Sequence, residues 1–103
     1  MIDVSILIPI ADNNKVAFTL EHFAVFETHV LAVAGGFSLL PQTVKGAWRN
    51  KAGIDMKDES RVYVVGIESL INGGLIGDIV TFAKVHFEQE AITIRYLGLI
   101  EIL

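Results

Sequence analysis

Two segments with helical spacing, each flanked by runs of β-branched residues, limit the folds open to this chain. Apolar residues recur at steps of three and four between Thr19 and the pair Gly35-Gly36. This spacing predicts a helix of about 16 residues that ends at a left-handed glycine cap. The same spacing in residues 75–90 predicts a second helix, entered after a break at Asn72-Gly73-Gly74.

Four segments rich in β-branched and aromatic residues are predicted to be strands: residues 4–10, 42–50, 61–70 and 91–103. The polar stretch from Lys51 to Glu59 is expected to form a hairpin loop with Gly53 at its turn. The order strand, helix, strand, strand, helix, strand is the ferredoxin-like βαββαβ arrangement. We therefore predict a single α+β domain over residues 1–103, with a four-stranded antiparallel sheet and both helices on one face.

The predicted sheet is apolar on both faces. Val4, Ile6 and Ile8 should face the helices, because residues two apart in a strand share a side. The open face is then expected to carry Leu7, Val65, Ile67 and Leu97 beside Tyr63, Thr93 and Arg95. Large exposed apolar patches are uncommon on monomers, so we expect a homodimer, with the long last strand offering an edge to the second chain. The alternative is that residues 97–103 pack under the protein's own loops.

A semi-apolar pocket on this open face is the predicted ligand-binding site. Its residues are Trp48, Arg49, Tyr63, Thr93 and Arg95, with the choice between Trp48 and Arg49 set by strand register. An arginine among aromatic and aliphatic side chains suits a carboxylate or another anion. In the alternative interpretation Arg95 pairs with an acid across a dimer contact, and Tyr63 and Trp48 are packing residues. Trp48 would be core if it turned towards the helices.

The motifs of several common chemistries are missing. The chain has no cysteine, and His22 and His29 stand two helical turns apart, so we expect no metal site. The acids between Asp55 and Glu59 lack the spacing of a calcium loop, and there is no Gly-x-Ser-x-Gly or Ser-His-acid arrangement. We predict no cofactor and assign no catalytic residue.

Charge and hydropathy exclude further partners. The net charge is −4 and the eight Lys and Arg residues are spread along the chain, which argues against nucleic acid. Although 52% of the residues are hydrophobic, no apolar run approaches the roughly 18 to 20 residues of a membrane-spanning helix. The first residues do not have the pattern of a secretory signal. We therefore expect a cytoplasmic protein with no membrane partner.

The order of elements resembles the dimeric ferredoxin-like (α+β barrel) superfamily, over nearly the whole chain. Members of that superfamily back two sheets against one another and often bind small ligands, or run cofactor-independent oxygenations, in the resulting cavity. The catalytic histidine arrangement of some oxygenase relatives is not evident here, because no histidine falls on a predicted strand. Short motifs are also similar to small uncharacterised bacterial proteins, including ones carried on mobile gene cassettes: Gly46-x-Trp48, Gly53, Asp58-x-Ser60-x-Val62-Tyr63 and Phe87-x-Gln89-x-Ala91.

Three functions are compatible with this pattern. The leading hypothesis is a non-enzymatic homodimer that binds a small semi-apolar or anionic ligand, or a protein partner, through the open sheet face. The second is a cofactor-independent monooxygenase- or isomerase-like enzyme in the same cavity, with Tyr63 or His86 as the proton-transfer group. The third is a dimerisation or interaction module without a pocket.

Overall fold

The computed structural model describes residues 1–69 and 73–103 as an α+β fold with two helices and an antiparallel sheet. The fold class agrees with the prediction, but the described part of the sheet has six strands instead of four. Within the described residues, neither helix has the length and the continuous apolar stretch that a membrane-spanning helix requires. In chain order the elements are β1 (Ile2–Pro9), α1 (Leu20–Ala34), β2 (Ser38–Leu39), β3 (Val44–Arg49), β4 (Asp55–Ile67), α2 (Gly73–His86), β5 (Thr93–Tyr96) and β6 (Leu99–Ile102).

β1 lies at the centre of the sheet, antiparallel to both β4 and β5. The strand order is β2-β4-β1-β5-β6, and β3 pairs with β4 beside this path. β1 pairs with residues 60–67 of β4, whereas β3 pairs with residues 55–60. The first half of β4 and β3 therefore extend beyond β1 as a two-stranded ribbon. We call this ribbon, residues 44–59, the arm.

The first helix begins and ends as predicted. The hydroxyl of Thr19 accepts a hydrogen bond from the backbone N–H of His22 at 3.1 Å, which satisfies one of the free N–H groups at the helix start. Gly35 adopts the left-handed conformation (φ 79°), and its N–H donates to the carbonyl of Leu31. These two caps fix the ends of α1, and the buried faces of Phe23 and Phe26 fix its rotation over the sheet.

The core lies between the helices and one face of the sheet, and the alternation predicted for β1 is confirmed. Fully burying one valine, isoleucine or phenylalanine side chain stabilises a fold by roughly 1.5 to 3 kcal/mol. The buried cluster consists of Val4, Ile6, Ile8, Phe23, Phe26, Val30, Tyr63, Val65, Ile67, Ile76, Ile79, Val80, Ala83, Phe87, Ile92 and Ile94.

The predicted faces of β4 are wrong. Tyr63 pairs with Ile6, so Tyr63, Val65 and Ile67 face the helices and are buried. Both faces of this strand are apolar, so alternation alone does not show which face meets the helices. The polar atoms of Tyr63 and its neighbour Arg61 are satisfied on the helix side by Glu27, which removes the cost of placing them there.

The predicted loop between the second and third strands is mostly strand. β4 begins at Asp55 because its backbone pairs with β3 as far as Arg49. The turn is confined to residues 50–54, where the side chain of Asn50 accepts hydrogen bonds from the N–H groups of Ala52 and Ile54. Gly53 supplies the left-handed residue (φ 78°) of this turn.

The predicted 13-residue last strand is also wrong. Leu97 and Gly98 both have positive φ, and the chain turns back so that β6 pairs with β5. At the second helix, Gly73-Gly74 is already helical, and the helix ends at His86 before the predicted residue 90. The predicted end of the third strand at Leu70 and the predicted break that begins at Asn72 fall on residues outside the described ranges.

Candidate functional site

The sheet face that the helices leave open forms, together with the arm, a cleft of about 790 Å³. We call it the open-face cleft. β1 and β5 supply its floor with Leu7, Pro9, Thr93 and Arg95. The arm supplies a wall, and residues 10–15 and 89–91 complete the rim. The cleft thus combines apolar side chains with a few charged ones, which is the general form of a small-molecule site.

The two sides of the arm differ in character. Side chains of Lys45, Ala47 and Arg49 point to one side, where Arg49 donates to the carboxylate of Asp55 at 2.7 Å. The other side carries three successive cross-strand pairs, and all six residues line the cleft: Val44 with Ser60, Gly46 with Asp58, and Trp48 with Met56. The arm therefore presents its aromatic and thioether side chains to the cleft and its ion pair to the opposite side.

The carboxylate of Asp58 occupies space that the glycine across the strand leaves open. A Cβ atom placed on Gly46 would lie only 2.6 Å from Asp58 Oδ1. Within residues 1–69 and 73–103, Asp58 makes no hydrogen bond and no ion pair. Its neighbour Glu59 is different, because the hydroxyl of Thr43 donates to it. Asp58 is thus a free acceptor on the wall of the cleft.

A tight turn forms the rim of the cleft beyond β1. Asp12 Oδ1 accepts hydrogen bonds from the N–H groups of Asn14 and Val16, at 2.8 and 2.9 Å. The chain closes this turn through the bridge between Ala11 and Ala17. The carboxylate of Asp12 is therefore held by its own loop, unlike that of Asp58.

The structure brings together three of the five predicted ligand-binding residues. Trp48, Thr93 and Arg95 line the open-face cleft, and Trp48 does not turn towards the helices. Arg95 forms no hydrogen bond or ion pair within the described part of the chain. Arg49 points to the other side of the arm and Tyr63 into the core, so neither lines the cleft.

Tyr63 belongs instead to a polar cluster beneath α1. Its hydroxyl donates to Glu27 Oε2 at 2.6 Å, and a guanidinium nitrogen of Arg61 lies 3.4 Å from the same oxygen. The guanidinium carbon of Arg61 stands 3.8 Å from the ring centroid of Phe23, a cation–π contact. Burial, and then the bond to Glu27, raise the pKa of Tyr63 far above its ordinary value. A phenol so reluctant to ionise is a poor general base.

The three histidines lie in a column of aromatic rings between the helices, which the sequence analysis missed. The rings of His22 and His86 stack with centroids 3.8 Å apart, and each Nε2–H donates to the other residue's carbonyl, at 2.7 and 2.8 Å. His29 stacks on Phe82 at 4.0 Å. The available signal was a spacing of four between aromatic residues: Phe18, just before α1, with His22, and Phe82 with His86 in α2. Because both ring faces and both Nε2 atoms of the pair are engaged, His86 is not a free proton-transfer group.

Among residues 1–69 and 73–103, no three His, Cys, Asp or Glu side chains come close enough together to hold a metal ion.

The sequence matches no family model and no curated protein. The fold, however, is similar to two solved structures over almost its full length. A phage SAM lyase in complex with S-methyl-5'-thioadenosine superposes with a TM-score of 0.68 at 13% identity, covering 99% of this chain and 86% of that one. A phage SAM lyase in the apo state gives a TM-score of 0.64 at 14% identity, with the same coverage.

This likeness overturns the leading functional prediction from the sequence. A non-enzymatic ligand- or partner-binding protein was expected because no catalytic motif was found, yet the fold is shared with an enzyme. The monooxygenase- or isomerase-like alternative also loses its proposed residues, since Tyr63 and His86 both lie away from the cleft. A fold can carry chemistry on isolated charged side chains without any local sequence motif.

Proposed function

We propose that the protein is an enzyme that cleaves S-adenosylmethionine in the open-face cleft and releases S-methyl-5'-thioadenosine. The observation that carries the proposal is the full-length likeness to a SAM lyase in both its apo and its S-methyl-5'-thioadenosine complex. Because the likeness covers 99% of this chain, it includes the arm and the β5–β6 hairpin as well as the helices.

The charges of the cleft suit this substrate. S-adenosylmethionine carries a positive sulfonium centre between an adenosine group and an amino-acid end with a carboxylate. Basic and acidic side chains both line the cleft, and among them Asp58 offers a carboxylate that makes no hydrogen bond or ion pair within the described residues and can lie beside a cation. The guanidinium of Arg95, which has no partner among the residues that the structure describes, is suited to the substrate carboxylate.

The strand register determines how such a ligand would lie. Arg95 stands on the row of Ser5 and Val64, whereas Trp48 is opposite Met56, eight residues earlier in β4. The two side chains therefore mark opposite ends of the cleft. Eight residues of a strand span roughly 26 Å, so we expect the substrate to bind in an extended conformation along β4, with the long side chains of Trp48 and Arg95 reaching inwards and its amino-acid end towards Arg95.

The proposed reaction requires no added reactant. The bond between the sulfonium sulfur and the side-chain carbon of the methionyl group breaks, and its electron pair goes to sulfur, which becomes the neutral thioether of S-methyl-5'-thioadenosine. The carbon of the four-carbon fragment that lost its bond to sulfur must form a new bond, and it can do so in one of two ways. Either the fragment's own carboxylate oxygen bonds to the vacated carbon, or a base removes a proton from the neighbouring carbon. Binding and orienting the amino-acid end at Arg95 would serve both routes.

Chromatographic detection of S-methyl-5'-thioadenosine tests the proposal. Purified protein incubated with S-adenosylmethionine should release it in proportion to protein concentration, above a protein-free control that corrects for spontaneous breakdown. S-adenosylhomocysteine, which lacks the positive sulfur, should not be cleaved. Absence of product above the control would refute the proposal.

A matched pair of arginine variants locates the activity. Arg95→Gln should lower kcat/KM by about 10- to 100-fold, since a hydrogen bond to a charged group contributes about 1.5 to 3 kcal/mol. Arg49→Gln removes the same charge from the opposite side of the arm and should leave kcat/KM unchanged. Equal effects of the two substitutions would place the active site elsewhere.

We further propose that the topology is ferredoxin-like with two additions, the short strand β2 and the terminal strand β6. The strand pairing supports this description, because β5, β1 and β4 are neighbours and β3 pairs with the other edge of β4, which is the order that a βαββαβ chain produces. The proposal also retains the homodimer, now formed through β6. Ile100 and Ile102 are 61% and 71% exposed on this edge strand, and β6 contains neither the lysine nor the proline that protects an edge.

A further inference from the structure

The cleft-facing side of the arm has the features of a nucleoside site. Trp48, opposite Met56, is 55% exposed. An indole with so much free surface is a platform on which a planar base can stack, and base–aromatic stacking contributes roughly 1 to 3 kcal/mol. The thioether of Met56 extends this apolar surface.

The next cross-strand pair along the arm supplies a hydrogen-bond acceptor. Asp58 lies two residues from Met56 on the same side of β4, about 7 Å further along the strand. Its carboxylate is free within the described residues, and Gly46 leaves the room that it occupies. Vicinal hydroxyls of a ribose are ordinary partners of such a carboxylate, as at dinucleotide sites.

We propose that the arm binds the thioadenosine half of the ligand, with the purine stacked on Trp48 and Met56 and the ribose hydroxyls donating to Asp58. The inference rests on the proposed function for the identity of the ligand. It assigns the neutral half of the molecule to the side of the arm that carries the indole of Trp48, the thioether of Met56 and, in Asp58, a carboxylate acceptor suited to hydroxyls. The charged amino-acid half is left to the end of the cleft that holds Arg95.

The single tryptophan of the chain makes this proposal directly measurable. Trp48 emission, excited at the long-wavelength edge of its absorption where adenine does not absorb, should be quenched saturably by S-methyl-5'-thioadenosine. Adenosine should quench similarly, whereas 2',3'-O-isopropylideneadenosine, whose diol is blocked, should bind at least about tenfold more weakly. These ligands are compared on the unaltered protein, so their result does not depend on the folding of a variant.

Three substitutions isolate the role of Asp58. Asp58→Asn should raise the dissociation constant for S-methyl-5'-thioadenosine by about tenfold. Gly46→Ala should have a comparable effect while keeping the charge, because the added Cβ displaces the carboxylate. Asp55→Asn removes the carboxylate on the opposite side of the arm and should leave the constant unchanged.

The outcomes separate this inference from the proposed function. If S-adenosylmethionine is cleaved but S-methyl-5'-thioadenosine does not alter Trp48 emission, the lyase stands and the arm is not the nucleoside site. If the emission is quenched but no cleavage occurs, the nucleoside site stands and the lyase fails. Equal binding of the diol-blocked compound would overturn the role of Asp58.

Discussion

At the scale of single residues, Tyr63 is the side chain whose protonation is most tightly constrained. An unfolded chain ionises its tyrosines near pH 10, whereas burial and Glu27 keep Tyr63 protonated to higher pH in the folded protein. Because the folded-state pKa is the higher one, the stability that protonated Tyr63 contributes is fully present below about pH 10 and is lost as the pH rises further.

Tyrosinate absorbance measures this difference. The chain has two tyrosines, and partial desolvation and the neighbouring Glu101 also raise the pKa of Tyr96. Near pH 11 the folded protein should show less tyrosinate than the same protein in urea, and most of the deficit should disappear in Tyr63→Phe. Tyr96→Phe is the control and should retain the deficit. Identical titrations with and without urea would contradict the assignment.

The same hydroxyl contributes to stability at neutral pH. Tyr63→Phe keeps the buried ring but removes the 2.6 Å bond to Glu27, which leaves that carboxylate with Arg61 alone. We expect the free energy of unfolding to fall by about 1 to 2 kcal/mol. Urea denaturation is the measurement, and an unchanged midpoint would show that water replaces the phenol without cost.

At the scale of elements, the His22–His86 pair joins the first turn of α1 to the last residue of α2. Each ring stacks on the other and donates to its partner's carbonyl. Removal of one ring eliminates its own hydrogen bond and the stack, and the remaining ring then donates to its carbonyl acceptor without a stacked partner to hold its orientation.

A double-mutant cycle tests this coupling. His22→Ala and His86→Ala should each lower the free energy of unfolding by about 1 to 2 kcal/mol. The double variant should lose at least about 1 kcal/mol less than the sum. A cycle between His86 and Thr28, which lies on α1 outside the pair, provides the comparison for independent sites. Additive losses for His22 and His86 would contradict a joint interaction.

The β5–β6 turn carries a residue poorly suited to its backbone. Leu97 adopts φ 49° ahead of Gly98 at φ 76°, and a two-residue hairpin turn of this kind favours Asn-Gly. Leu97→Asn should raise the free energy of unfolding by about 1 kcal/mol, since the left-handed conformation costs most residues roughly that amount. Leu97→Ala, which removes the exposed side chain without relieving the backbone, should give little gain. Thermal unfolding distinguishes them, and equal gains would point to side-chain exposure as the cause.

These elements also show what the sequence could and could not predict. α1 was predictable because Thr19, Gly35 and the apolar spacing between them all act locally. The strand from Asp55 was not, because its polar residues become β-structure only through pairing with β3. The turn at Leu97 was hidden because a leucine occupies a position where asparagine or glycine is usual.

The residues of the candidate site also divide into those that a local pattern predicts and those that only strand pairing determines. Arg95 and Thr93 could be placed on the open face by alternation along one strand whose buried residues were obvious, and Trp48 was among the residues considered. Asp58 was missed because it was assigned to a loop, and Tyr63 was misplaced because both faces of β4 are apolar. Register and cross-strand pairing, which bring distant segments together, carry the information that a single sequence does not display.

At the scale of the whole molecule, the sheet ends on one side in β6, an edge strand with exposed apolar side chains. β6 pairs only with β5 in the described part of the chain, so its outer backbone groups are available to a second copy. Antiparallel pairing of β6 with β6 would join the two sheets around a two-fold axis, with the same surface contributed by each chain. It would also cover Ile100 and Ile102, which face the same side as Arg95 and Thr93.

Light scattering tests this assembly. The protein at micromolar concentration should have twice the 11.3 kDa mass of one chain, and Ile100→Lys combined with Ile102→Lys should give the monomer, because like charges and lysine side chains block edge pairing. Leu39→Lys on β2, at the opposite edge, should leave the dimer intact. Since the residues proposed to hold the thioadenosine group all belong to one chain, the monomeric variant should still show quenching of Trp48 by S-methyl-5'-thioadenosine. A monomer before substitution would refute the dimer, whereas loss of quenching together with the dimer would show that the second chain completes the cleft.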